Sequence, residues 1–300
     1  MTATVPVAAC AWCGAPLGAG ATRRAGRIEC AACGAATIDP WPTGDDLAAA
    51  YGEWYRPGSG RRFAPLGDAV LRRTRGALAR RVDAIAPPGP VLDVGAGDGV
   101  LLDALAQRGR DALGLEREST RADIRDVPVQ EAGDGWAAIV FWHALEHLPA
   151  PGAAVAHAAR ALVPGGVLVI AVPNAASVQA QAFGDRWLHL DPPRHLVHLT
   201  AAALRARLEG CGLRVERESH LRGGQVAIGW LDGLVGTLPG DRRLYQALRR
   251  AGARSAPLAP RDRAVTLAAG AALAPVALAG AAVEAGLRRG GTVYMEARRD

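Results

Sequence analysis

The segment Asp93-Val94-Gly95-Ala96-Gly97-Asp98-Gly99 constrains this chain most, because it follows one short apolar run and opens another. Glycines at these positions permit positive φ and let the backbone come close to a ligand. A helix starting there offers unsatisfied N–H groups to a carboxylate or phosphate. The spacing is G-x-G-x-G, so the dinucleotide fingerprint G-x-G-x-x-G is not met. That spacing disfavours a nicotinamide oxidoreductase.

Around this loop, short strands alternate with helices, the pattern of a parallel sheet covered on both faces. An Arg-rich helical stretch over 66–85 ends at Pro87-Pro88-Gly89-Pro90. Strands are expected at Val91–Val94, 112–116, a short one ending near Asp126, then 137–142, 166–172, 213–219 and 291–298; helices are expected at 100–108, 153–162 and 204–209. Glu116 closes the second strand, on the edge where open α/β sheets bind ligands, and a carboxylate there can accept both hydroxyls of a ribose. No internal repeat is visible.

Upstream, Cys10-x2-Cys13 and Cys30-x2-Cys33 are separated by x16, which meets the spacing of a tetrahedral zinc site. Gly14 and Gly34 follow the pairs and free adjacent N–H groups to face thiolates. So short a module has little apolar material, and a metal can replace the missing core. Redox-active dithiols are the rival reading. Cys211 stands alone and reads as a packing residue.

Four ordered motifs resemble the class I methyltransferases. The glycine loop is similar to their first motif, and Phe141-Trp142-His143-Ala144-Leu145-Glu146-His147-Leu148 to their fourth-strand "LEHL" segment. Leu162-Val163-Pro164-Gly165-Gly166 is similar to the "L-x-P-G-G" turn, and Val172-Pro173-Asn174 to the "PN" ending strand five. The resemblance implies a Rossmann-like α/β fold: a doubly wound, mostly parallel seven-stranded sheet, with a small N-terminal zinc ribbon. It implies S-adenosylmethionine as cofactor, with Asp93, Gly95, Ala96, Gly97, Asp98 and Gly99 around the methionine end. Glu116 would then hold the ribose, and Asp126 would lie near the adenine. Two departures stand out. Only nine residues separate Glu116 from Asp126, which leaves almost no room for the usual helix, and Ala137-Ala138 replaces the usual acid after Trp136. The expected division is a zinc ribbon over 1–40 with structural Zn2+ on Cys10, Cys13, Cys30 and Cys33, a helical linker or cap over 41–90, and a methyltransferase domain over 91–300. That domain carries an apolar helical insertion at about 224–290.

Methyl transfer needs a nucleophile held in line with an electrophilic methyl group, and often a base, most commonly His. The segment running from Phe183 through Trp187 to Asp191-Pro192-Pro193-Arg194-His195-Leu196-Val197-His198-Leu199-Thr200 resembles a loop that follows strand five in one branch of the family. His195, stiffened by two prolines, leads the base candidates, followed by His147 and His143. Glu146 with His147 could instead bind a divalent ion, as in quinone-pathway relatives. His198 reads as capping or packing. Arg194 would recognise an anionic group or form a salt bridge. Tyr51, Trp54 and Tyr55 could shield a sulfonium or merely pack.

Formal net charge is +6, carried by arginine alone since the sequence has no lysine. These arginines are scattered, so they do not make the localised basic face that nucleic-acid binding requires. Residues 264–283 carry no charge and are long enough to cross a bilayer, but they are Ala- and Gly-rich with Pro275 in the middle. A buried or interfacial helix pair is expected, with peripheral membrane contact through it. No basic cluster followed by an apolar core opens the sequence, so a cytoplasmic, membrane-associated enzyme is expected. The leading function is methylation, O- or C- favoured, of a small-molecule, glycan or lipid-linked acceptor by in-line displacement with a histidine base. The alternatives are an RNA methyltransferase that docks substrate on its zinc ribbon, and a non-catalytic binding protein on the same fold.

Overall fold

The computed structural model describes residues 7–18, 21–24, 26–52, 63, 65–221, 225–240 and 242–300. Its strands are β1 (Thr22–Arg24), β2 (Arg27–Glu29), β3 (Ala36–Ile38), β4 (Val91–Val94), β5 (Ala112–Leu115), β6 (Ile124–Arg125), β7 (Trp136–Trp142), β8 (Leu162–Pro173), β9 (Val197–His198), β10 (Leu213–Ser219) and β11 (Thr292–Arg299). Its helices are α1 (Gly44–Ala50), α2 (Pro65–Ile85), α3 (Val100–Ala106), α4 (Pro151–Ala161), α5 (Val178–Phe183), α6 (Ala201–Gly210), α7 (Val226–Gly236), α8 (Leu244–Leu248) and α9 (Pro260–Gly286).

Seven strands form the main sheet in the order β10-β11-β8-β7-β4-β5-β6. The pairs β4–β5, β5–β6, β4–β7 and β7–β8 are parallel, while β11 runs antiparallel to both β8 and β10. Strands in the middle of such a sheet are covered on both sides and read as continuous apolar runs. Strand β7 follows that rule. Its Ala138 and Val140 pack with Leu78, Val82, Leu101 and Leu105 of α2 and α3. Ile139 and Phe141 point the other way, toward Ala154, Val155 and Ala158 of α4 and Leu204 and Leu208 of α6. Successive residues alternate faces because the strand period is two.

The cysteine-bearing hairpins join this body rather than hanging from it. Strands β1, β2 and β3 share a second sheet with β9, which pairs antiparallel with β3 through Ala36↔His198 and Thr37↔Val197. Cys10, Trp12, Cys30 and Ile38 lie in the same apolar cluster as Leu92 and Phe141. Trp12 donates its indole N–H to Ala203 O at 3.2 Å. A Cβ at Gly152 would collide with the Trp12 carbonyl oxygen, so glycine there is what lets the ribbon sit down on α4.

Helix α9 corrects the expected pair of helices, since it runs unbroken for 27 residues through Pro275. Proline removes an N–H and crowds the carbonyl four residues back. Here Pro275 and Ala271 both lie on the exposed side, where that carbonyl is not trapped. The inward face is fixed by Glu284, fully buried, which accepts from Gln179 N–H at 2.9 Å, Gln179 Nε2 at 2.8 Å and Trp230 Nε1 at 2.8 Å. The outward face carries Val265, Val276, Leu278 and Val283, with Leu287 just beyond, all exposed.

Candidate functional site

The carboxyl ends of β4, β5 and β7 meet at the glycine loop. Gly95, Gly97 and Gly99 have φ of 80°, 58° and 76°, a region that L side chains avoid. Gly95 is also hemmed in, because a Cβ there would lie 2.7 Å from the Ala144 Cβ. The loop N–H groups of Gly95 and Ala96 both donate to Leu115 O, which ties the loop to β5. Glu116, one residue on, accepts from Gly97 N–H at 2.9 Å and from its neighbour Arg117 N–H at 3.0 Å. The sequence-expected ribose acid thus lies against the glycine loop. Asp93 is buried, and that burial pushes its carboxyl up to about 7; the charge of Arg75 pulls it down and that of Glu116 adds to the rise.

Asp126 does not share this arrangement. It is exposed and accepts from Glu118 N–H at 3.0 Å, where Glu118 has φ of 53°. Its carboxylate braces the tight turn that replaces the missing helix after β5. Arg121, which sequence reasoning missed, stiffens the same turn. It bonds Asp103 at 2.8 Å, Asp123 at 2.7 Å and Asp98 O at 3.2 Å, and it fills the space beside Gly99.

Beyond β7 lies a cluster of histidines. His143, at φ of 53°, follows the strand end and precedes Ala144, the residue packed on Gly95. Its Nδ1 lies 3.3 Å from Glu146 Oε1, and its ring stacks on His189 at 6.0 Å between centroids. Burial alone would raise Glu146, but the hydrogen bond from His143 and the neighbouring imidazoles outweigh it and hold the carboxyl at about 2. His147 Nδ1 lies 3.0 Å from both Arg194 O and the Tyr51 hydroxyl. Burial, with His195 adding to it, lowers His147 to about 4. His195 Nδ1 lies 2.8 Å from His189 O, and its Nε2 lies 3.6 Å from Asp191.

Arg194 forks onto Asp191 at 3.0 and 2.5 Å, the salt-bridge alternative among its two readings. His198 is buried in β9 with Nε2 3.2 Å from Leu190 O. Tyr51 bridges the two halves of the region. The Arg117 guanidinium lies 4.1 Å from its ring centroid, and its hydroxyl meets His147. Trp54 and Tyr55 lie outside the described residues. Nothing in the sequence pointed to Asp191 or His189 separately, although both lie in the loop segment that carried the resemblance. Glu146, His147 and His195 bring ligand-capable atoms within 4.8 Å of one another.

The four N-terminal cysteines also converge. Cys10 Sγ lies 3.7 Å from Cys33 Sγ, and Cys13 Sγ 3.6 Å from Cys30 Sγ. A tetrahedron with metal–sulfur bonds of ~2.3 Å has edges of ~3.8 Å, so the four fit a zinc ion. A disulfide would need ~2.05 Å. Each pair forms the same turn: Gly14 N–H bonds Cys10 O and Gly34 N–H bonds Cys30 O, both at 2.8 Å. Burial raises the Cys10 and Cys33 thiols, while backbone N–H groups of Ala32 and Cys33 outweigh burial at Cys30 and favour its thiolate.

A seven-stranded sheet with its last strand reversed, bearing a glycine loop and a strand-end acid, defines a class I methyltransferase fold. The family model described as a methyltransferase domain matches residues 69–218, half of the chain, and the chain belongs to that family. A ubiquinone biosynthesis O-methyltransferase from Bordetella avium (strain 197N) is 29% identical over 153 aligned residues, taking in 41% of this chain and 64% of the relative. Another, from Psychrobacter arcticus, is 31% identical over 104, taking in 28% of this chain and 40% of the relative. The chain therefore spans less than two thirds of the length of these curated relatives. Among solved structures, a candidate sarcosine dimethylglycine methyltransferase from Galdieria sulphuraria superposes with TM-score 0.50 at 14% identity. It covers 85% of this chain and 99% of its own, a likeness of fold.

Proposed function

We propose that the protein transfers the methyl group of S-adenosylmethionine to a small organic acceptor. The observation that carries this reading is the hydrogen bond from Gly97 N–H to Glu116, which sets a carboxylate beside a positive-φ glycine turn at the carboxyl edge of the sheet. A carboxylate offers about four acceptor positions, so ribose hydroxyls can join the backbone donors already on Glu116. The methionine end would lie over Gly95–Gly97, between Asp93 and Ala144. Names of the O-methyltransferase relatives support a small-molecule acceptor, and oxygen is the acceptor atom they suggest.

Among the histidines, geometry favours His143 over His195 as the base. Its Nδ1–H can donate to Glu146, which leaves the lone pair of the neutral ring on Nε2, and it stands one residue from the Gly95 contact. That is the base-and-orienting-carboxylate pairing of general base catalysis. A divalent ion on Glu146, His147 and His195 is a second reading, favoured by Glu146 Oε2, which is buried without a hydrogen bond among the described residues. Zinc on the four cysteines would serve as structure. The exposed apolar face of α9 supports contact with lipid and hence an acceptor with a lipid portion.

The test is transfer of label from methyl-tritiated S-adenosylmethionine into a cell extract. Label is expected in organic-extractable small molecules, and Glu116→Ala should reduce it by ~10–100-fold, the worth of charged hydrogen bonds of ~1.5–3 kcal/mol. Label confined to RNA, or unaffected by Glu116→Ala, would refute the proposal.

A further inference from the structure

Between the cysteine hairpins and the loop entering β9 lies a cleft of about 330 Å³, within the range of sites for small organic molecules. No residue of the glycine loop lines it, so it is separate from the cofactor edge of the sheet, while it shares His198 and the loop through Leu190, Pro192 and Pro193 with the histidine region. The two carboxylates that line it are engaged, Asp39 by Arg23 and Asp46 by the N–H and hydroxyl of Thr43. Its apolar walls are rigid: Trp41, Leu190, and the prolines Pro40, Pro42, Pro192 and Pro193. Such flat faces stack well on a ring, and prolines and one indole lose little freedom when they do.

Two polar groups in this cleft lack the partners that buried groups normally have. The first is Arg27 of β2, half-buried, which makes no hydrogen bond or close ion pair among the described residues. Arg24 stands directly across from it in the β1–β2 register. Like charges in that relation destabilise a strand pair. Arg23 on the same hairpin is neutralised by Asp39, whereas Asp185 and Glu29 act on Arg27 without forming a close salt bridge with it among the described residues. An anion would relieve the pair. The second group is His198, 3% exposed, which lines the cleft. Its Nε2 faces Leu190 O, and a carbonyl only accepts, so Nε2 carries the hydrogen. In the neutral ring the lone pair is then on Nδ1, a buried atom with no partner among the described residues. Buried polar atoms are nearly always paired, and this one wants a donor.

We propose that this cleft binds a hydroxylated ring bearing a phosphate or carboxylate. The ring lies between Trp41 and the prolines, the anion is held by Arg27 with Arg24 at the rim, and a hydroxyl donates to His198. The two sides of the cleft come from the ribbon and from the loop holding Asp191 and His195, so the ligand clamps one to the other. The inference does not rest on the methyl-transfer reading.

The test titrates the zinc-loaded full chain with glucose 1-phosphate, phenyl phosphate, inorganic phosphate and glucose. It is read by amide NMR shifts, once alone and once with saturating S-adenosylhomocysteine. At least one ring phosphate should bind ten-fold or more tighter than inorganic phosphate or glucose, with shifts at Gly26, Arg27 and Trp41, whether or not the nucleoside is present. Arg27→Gln should weaken that binding at least ten-fold. Ring phosphates that bind no tighter than inorganic phosphate, or that shift the glycine loop instead, would overturn the proposal; so would an unchanged affinity in a zinc-replete Arg27→Gln variant. The shift map on the wild-type chain decides the matter even if that variant fails to fold.

Discussion

His143 occupies a backbone position that few non-glycine residues accept, at φ of 53°. Left-handed backbone costs an L residue about 1–2 kcal/mol, and such strain collects where a side chain must be aimed. The aim here is toward Glu146 on one side and the Ala144–Gly95 contact on the other. If His143 takes the acceptor's proton with Glu146 orienting it, His143→Ala should lower kcat by ~10²–10⁴-fold. Glu146→Gln should cost less, and S-adenosylmethionine affinity should stay within a few-fold. Steady-state kinetics beside a binding titration checks this. A larger loss in His195→Ala than in His143→Ala would return the base to His195, where the sequence alone placed it. The sequence put His195 first because two prolines stiffen its loop, but the partners of each ring, on which the rank depends, were not legible there. His195 is oriented through Nδ1 by a backbone carbonyl rather than a carboxylate and turns Nε2 toward Asp191 at 3.6 Å, and His147 is pushed down to about 4 by burial, too weak for a base at neutral pH. The surroundings of His147 come from Arg194 and His195, far along the chain, whereas the partner of His195 lies within its own loop.

At the level of elements, the cysteine hairpins and the histidine loop are one mechanical unit. Strand β3 pairs with β9, Ile38 N–H donates to Leu196 O at 2.9 Å, and Leu196 N–H donates to Glu146 O at 2.7 Å. The path runs from the cysteines to the residue that orients His143. Stripping zinc, or replacing Cys30 with Ser, should therefore raise hydrogen exchange across 189–199 and depress turnover, while nucleoside binding at the glycine loop changes little. Unaltered protection over 189–199 after metal loss would show that the ribbon is merely attached. This coupling was not legible in the sequence, since β9 is only two residues, Val197 and His198, inside a loop rich in Pro and His. The centre of the main sheet was legible because β7 and the body of β8 are continuous apolar runs, set off by glycine and proline. Strand β8 begins earlier than expected, at Leu162, because the Pro164-Gly165-Gly166 turn stays in the ladder with Trp136 pairing Leu162. After so short a connection from β5, the Asp126 carboxylate also holds the turn, accepting from Glu118 N–H, a second task that the sequence did not show.

Taken as a whole, the molecule keeps several buried histidines neutral. Burial is the main cause, and it lowers His147 to about 4 and His189 and His198 to about 3, against an ordinary 6.5. Below pH ~6.5 the unfolded chain takes protons there that the folded chain refuses, so stability falls with falling pH by up to ~1.4 kcal/mol per unit for each. Asp93 works the other way between about 4 and 7, because its raised carboxyl holds a proton in the folded state that the unfolded state has lost. Three against one leaves about two protons, or ~2.7 kcal/mol per pH unit between pH 6 and 4. Denaturant midpoints should be clearly lower at pH 5 than at pH 7; equal midpoints would mean that these rings are wet.

The central claim is that a sulfonium nucleoside lies along the carboxyl edge of the sheet. A crystal structure of the zinc-loaded protein with S-adenosylhomocysteine tests it most directly. The account predicts density over Gly95–Gly97, with both ribose hydroxyls at ~2.7 Å from Glu116 and the sulfur turned toward His143. Density elsewhere, or a nucleoside whose sugar does not touch Glu116, would contradict it.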